Sequence, residues 1–174
     1  LLNKYGVSIP KGFLVNNFNE ATKASEDIGF PVTLKVSGAE LAHKSELNGV
    51  RLNIKNTKML KEACADLFNI SSELLIEKMI EKSVCELIIG MDYDPTFGKH
   101  IVIGSGGIFV ELLEDSSVLI LPATRGDINQ ALSKLKVHKL LEGFRGKPKG
   151  DIEAVIDSVV SVIELISQNE VEEL

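Results

Sequence analysis

The chain has 174 residues, 25 acidic and 19 basic side chains, and a formal net charge of −6. That balance argues against general nucleic-acid binding, which needs a basic surface against the phosphate backbone. Hydrophobic residues make up 44% and charged residues 25%, as in a globular protein of one domain or two small lobes. No run approaches the ~18 apolar residues of a membrane span. Cys64 and Cys85 form neither a zinc pattern nor a disulfide framework, and the first residues lack the basic-then-apolar order of a signal peptide. The expectation is a reduced, cytoplasmic protein. The start at Leu1-Leu2 without methionine is expected of a fragment or a processed chain.

Residues 1–5 read as a helix end stopped by Gly6, and Phe13-Leu14-Val15 as a short strand. Asn19 to Ile28 reads as a helix, capped by Asn17 or Asn19 and stopped at Gly29. Phe30-Pro31 then opens a strand, since proline removes a ladder donor and sits best at a strand start. Val32, Leu34 and Val36 alternate with Thr33 and Lys35, the period of a half-buried strand. A polar loop, Ser37 to Gly49, carries His43 beside Lys44 and leads into a second strand through Val50, Leu52 and Ile54. Thr57 to Phe68 is an amphipathic helix, with Leu60, Ala63, Cys64, Leu67 and Phe68 on one stripe. Leu74 to Ile80 reads as a buried strand with a polar end. Residues 1–80 are thus expected to form one mixed lobe.

A second lobe is expected over residues 81–174. Cys85, Leu87, Ile89 and Met91 share one face of a strand and Glu86 the other. Asp94 to Gly98 is a turn by composition, so Lys99 to Gly104 pairs back as a hairpin. Gly104-Ser105-Gly106-Gly107 lets the backbone bend sharply. Strands are expected at Ile108–Leu113 and Ser117–Leu121, and a helix at Asp127–Leu135. A basic Gly/Pro loop, Gly143 to Gly150, precedes a long helix capped by Asp151.

Several residues invite chemical readings, each beside a plainer one. Lys35 either snorkels to water or points its ammonium at phosphate oxygens. His43 is either a solvated loop histidine or a nucleophile that accepts and passes on a phosphoryl group. Glu77-Lys78-Met79-Ile80 is either a strand end or a hinge whose backbone reads an adenine edge. Glu86 is a surface charge or a partner for ribose hydroxyls. Glu111 and Asp115, two pleats apart, are a polar strand face or oxygen ligands for a hard cation. The Gly104–Gly107 run is neither a Walker A loop nor GxGxxG.

Taken together and in order, Phe30-Pro31-Val32-Thr33-Leu34-Lys35-Val36, His43-Lys44-Ser45, Gly49-Val50-Arg51-Leu52, Asp94-Pro95-Thr96-Phe97-Gly98, Gly106-Gly107-Ile108-Phe109-Val110-Glu111 and Gly143-Phe144-Arg145-Gly146-Lys147-Pro148 resemble a known pattern. The chain resembles, over essentially its whole length, the ATP-grasp subunit or domain of the nucleoside-diphosphate-forming acyl-CoA synthetases. This is the ADP-forming acetyl-CoA synthetase group. The resemblance implies an α+β ATP-grasp fold, two α+β lobes with a nucleotide cleft between them. It implies ATP or ADP and magnesium as cofactors. It assigns Lys35 to the phosphates, Glu77, Lys78, Met79 and Ile80 to the adenine hinge, Glu86 to ribose, and Glu111 and Asp115 to magnesium. His43 becomes the phosphorylated histidine, receiving phosphate from a CoA-binding alpha subunit or fused domain and passing it to ADP. The expected assembly is therefore a hetero-oligomer. The sequence departs from the family at Asn48-Gly49, where Gly-Gly is usual, and in a short Phe68–Leu74 connection. Two other readings remain: an ATP-grasp carboxylate–amine ligase, which leaves His43 without a role, and a non-catalytic nucleotide-binding regulatory module.

Overall fold

The computed structural model describes residues 1–37, 48–107 and 114–169. The chain forms two compact units, Pro10–Glu81 and Leu1–Ile9 with Lys82–Leu174. In the first, strands β1 (Gly12–Val15), β2 (Val32–Val36), β3 (Val50–Ile54) and β4 (Leu74–Lys78) form an antiparallel sheet in the order β1-β4-β2-β3. Helices α1 (Phe18–Ile28) and α2 (Thr57–Leu67) cover one face. Both start where an asparagine side chain replaces a missing acceptor: Asn17 accepts from the Glu20 N–H, and Asn56 from that of Met59. Gly29, at φ 79°, ends α1.

The alternation read in β2 decides which side is core. Val32, Leu34 and Val36 are buried with Leu74 and Ile76 of β4, against Ala21 and Ala24 of α1 and Leu60, Cys64 and Leu67 of α2. Thr33, Lys35 and Glu77 fall on the face turned away from the helices, as period-two geometry requires.

In the second unit, β5 (Leu87–Asp94), β6 (Gly98–Ser105) and β7 (Ser116–Ile120) form an antiparallel meander. The β5–β6 turn is held by Asp94, whose carboxylate accepts from the Thr96 and Phe97 N–H groups. Helices α3 (Arg125–Lys134) and α5 (Ile152–Gln168) bury Ile128, Leu132, Val159, Leu165 and Ile166 against Met91, Ile101, Ile103 and Leu119 of the sheet. Thr124 and Asp127 form a reciprocal capping box on α3, and Asp151 caps α5 through the Ala154 N–H. A four-residue helix α4 (His138–Leu141) lies between them.

The structure departs from the expected division in one respect. Leu1–Ile9 belongs to the second unit, because Leu2, Tyr5 and Val7 pack on that unit's core. Asn169 at the end of α5 also donates to the Tyr5 hydroxyl at 2.9 Å. The boundary between the units falls after Glu81. The strand expected to include Cys85 and Glu86 begins at Leu87, and the strand expected at 108–113 lies outside the described residues. Among the described residues, no helix is long and apolar enough to cross a membrane.

Candidate functional site

The antiparallel register of β2 and β4 pairs Thr33 with Glu77 and Lys35 with Leu75. Lys35 and Glu77 are therefore diagonal neighbours on the face away from the helices. The Lys35 Nζ donates to Glu77 Oε2 at 2.7 Å. The lysine side chain is 38% exposed and the glutamate 18%, so the ammonium is held in place yet keeps donors for an incoming anion. The sequence reading placed Glu77 in the hinge and Lys35 on the phosphates; the structure joins them as an ion pair.

The rest of the segment expected as a hinge is tied into the first unit. The Lys78 Nζ donates to the Gly29 and Phe30 carbonyls at 2.8 and 3.2 Å. That places a cation at the C-terminal end of α1, where the helix dipole favours it. The backbone N–H of Lys78 goes to Lys11 O and that of Met79 to Pro31 O. Met79 also accepts, through sulfur, from the Thr33 hydroxyl at 3.0 Å. Ile80, 61% exposed, follows.

Glu86 stands just before β5, and its placement explains the glycine run. Its carbonyl accepts from the Gly106 N–H at 2.8 Å. A Cβ on Gly106 would sit 2.9 Å from the Glu86 and Leu87 backbone, closer than real Cβ atoms come. Gly107 has φ +64°, and a Cβ there would collide with Glu86 Oε2. The two glycines thus let a turn lie directly against the Glu86 carboxylate. Beyond Glu86 on the same side of the sheet come Ile88, Val118 and Ile120, all more than 40% exposed.

Asp115, expected as a magnesium ligand, is 8% exposed. Oδ2 accepts from the Ser105 hydroxyl at 2.6 Å and the Val137 N–H at 2.9 Å, and Oδ1 from the Lys136 N–H at 2.7 Å. Burial pushes this carboxyl up, but the Ser105 hydroxyl and the two N–H donors outweigh it, and the net direction is down. In this structure the group serves as a hydrogen-bond anchor.

His43 and Glu111 lie outside the described residues. Asn48 adopts φ 52°. This is the left-handed conformation that glycine favours and asparagine tolerates. The Asn48 carbonyl accepts from Arg51 Nη1 at 2.6 Å.

One feature follows from how separated stretches meet. A cavity of about 630 Å³ in the second unit is lined by Val84, Cys85, Ser105, Val137, Leu140 and Phe144, among others. Its wall is assembled from three separated segments and includes Glu86, Ser105 and Phe144, each from a stretch singled out in the sequence. Burial pushes the Cys85 thiol up.

The ATP-grasp domain family matches the chain over residues 1–174. The chain is 38% identical to acetate–CoA ligase [ADP-forming] II of Archaeoglobus fulgidus, over 100% of this chain and 26% of that protein. It is 35% identical to the beta subunit of acetate–CoA ligase [ADP-forming] II of Pyrococcus furiosus, over 95% of this chain and 74% of the subunit. The chain thus spans about a quarter of the longer relative and three quarters of the separate subunit. Among solved structures, the Ca. Korarchaeum cryptofilum dinucleotide forming acetyl-coenzyme A synthetase 1 with coenzyme A, Ca-AMPCP and HgCl⁺ matches with a TM-score of 0.93. The identity is 31%, over 99% of this chain and 79% of that chain. The same enzyme has been solved with coenzyme A and Mg-AMPPCP, its phosphohistidine segment pointing towards the nucleotide binding site. With its two α+β units, its sheet-borne Lys35 and its Glu86 against a glycine turn, the chain belongs to the ATP-grasp domain family, in the branch found in ADP-forming acetate–CoA ligases.

Proposed function

We propose that this chain is the nucleotide-binding, phosphoryl-transfer component of an ADP-forming acyl-CoA synthetase. The observation that carries the reading is the Lys35–Glu77 pair, a fixed cation on the helix-free face of its sheet. Lys35 holds phosphate oxygens, with Glu77 fixing its direction. Glu86 accepts from the ribose hydroxyls. Because the Lys78 and Met79 N–H groups are engaged within the fold, hinge recognition of the base falls to the backbone from Ile80 onward and to the carbonyls.

The transfer runs through His43. Its neutral imidazole attacks the phosphorus of a phosphohistidine presented by a CoA-binding alpha subunit or fused domain. One P–N bond forms as the other breaks. A terminal oxygen of ADP then attacks the same phosphorus, the P–N bond to His43 breaks, and ATP leaves. Negative charge spreads over the equatorial oxygens of the group in flight, which is where the Lys35 ammonium acts. The phosphohistidine segment of the related Korarchaeum enzyme, seen towards its nucleotide site, supports this assignment. Magnesium, when bound, neutralises charge on the phosphate oxygens, and Glu111 is its proposed ligand. Asp115 does not fit that role, since its two oxygens already accept three hydrogen bonds.

The test is His43→Ala in the presence of the CoA-binding partner. Nucleotide binding should survive, and synthesis of ATP from acyl-CoA, ADP and phosphate should collapse. An undiminished rate would remove His43 from the reaction and the relay with it.

A further inference from the structure

We infer that Asp115 is a positioning residue that sets the Glu86 carboxylate for nucleoside binding by clamping the Ser105–Gly107 turn from beneath. The inference rests on the reading that Glu86 meets ribose.

The clamp is built from short contacts on two sides. Asp115 holds Ser105 twice, its carboxylate taking the Ser105 hydroxyl at 2.6 Å and its carbonyl taking the Ser105 N–H at 2.9 Å. The same carboxylate takes the N–H groups of Lys136 and Val137, just ahead of α4. Ser105 is therefore fixed to the helical layer, not only to the sheet. Ser105 is also the last residue of β6 and pairs with Leu87, the residue after Glu86. The next two residues meet Glu86 directly. Gly106 donates to the Glu86 carbonyl, and Gly107 lies against its Oε2 with no room for a Cβ. A shift of Ser105 is thus transmitted within one or two residues to both ends of Glu86.

A carboxylate suits this post better than a neutral side chain. Three donors converge on two oxygens, and hydrogen bonds to an ionised acceptor are shorter and stronger than neutral ones. Asparagine would turn an NH₂ group toward donors, leaving at least one N–H or O–H without an acceptor in a site only 8% exposed. The geometry also explains why Asp115 and Ser105 are both buried beside an otherwise apolar core.

The experiment compares the parent chain with Asp115→Asn, Ser105→Ala and Glu86→Gln, titrated by calorimetry with ADP and with pyrophosphate. Amide exchange of Gly106 and Gly107 is followed in the same samples. The clamp predicts that Asp115→Asn loses about tenfold in ADP affinity and leaves pyrophosphate affinity unchanged. Ser105→Ala should show a smaller loss of the same kind, with faster Gly106 exchange in both. Equal losses for ADP and pyrophosphate in Asp115→Asn would mark a general structural role and overturn the inference. So would parent-like ADP affinity and Gly106 exchange in Asp115→Asn. If Asp115→Asn does not fold, Ser105→Ala decides alone on the same two readouts. If Glu86→Gln binds ADP like the parent, the ribose reading fails, and the Asp115 inference with it. A loss in Glu86→Gln without one in Asp115→Asn or Ser105→Ala removes only the clamp.

Discussion

At the scale of single residues, the two proposed nucleotide contacts separate by ligand. Lys35→Met removes the phosphate-facing cation and should weaken ADP and pyrophosphate alike, by about 10- to 100-fold, as expected for a lost hydrogen bond to a charged group. Glu86→Ala should weaken ADP and spare pyrophosphate, because only the nucleoside end is affected. Titration of both variants with both ligands checks this, and a pyrophosphate loss in Glu86→Ala would contradict the ribose assignment. Gly107→Ala is the complementary change. It strains a backbone at φ +64°, at a cost of about 1–2 kcal/mol for a left-handed non-glycine residue. Its methyl group would also displace the Glu86 carboxylate. Chemical denaturation should show that destabilisation together with weakened ADP binding. The buried Cys64 thiol, pushed up to about 11 by desolvation, should resist alkylation at pH 8 until the first unit unfolds.

At the scale of elements, period-two alternation in β2 and the helical stripe on α2 were legible because each has one wholly apolar side. The glycine stop of α1 and the Asp151 cap of α5 were legible from residue type alone. The Lys35–Glu77 pair was not, because it depends on β4 lying beside β2, a register no local pattern states. Nor was the Asp115 anchor, which joins a strand end to a helix start 21 residues away. Helix α4 was missed because four residues are too few to show a period. The cavity beside Cys85 was missed because its lining is scattered along the chain. The caps give a direct prediction at this scale. Asn56→Ala removes the acceptor for the Met59 N–H and should cost about 1 kcal/mol. Ile103→Ala, in the fully buried middle of β6, should cost about 2–5 kcal/mol. Denaturant titrations of the two variants should rank them in that order.

At the scale of the whole molecule, each unit has its own core, and acid should act on the second through Asp115. Its folded pKa is lowered. Its contribution is therefore fully present above the unfolded aspartate value of about 3.9 and is lost as pH falls through the lower folded value. Thermal midpoints recorded downward from pH 5 should drop in that window, and Asp115→Asn should drop less steeply over the same range. Lys35 belongs to the first unit and Glu86 to the second, and the proposed relay adds His43. The most direct measurement is to mix the chain with magnesium and ATP labelled in the γ-phosphate and to test the protein for bound label. The account predicts phosphate that is acid-labile and base-stable, located at His43 and absent from His43→Ala. Acid-stable label, or equal labelling of His43→Ala, would contradict it.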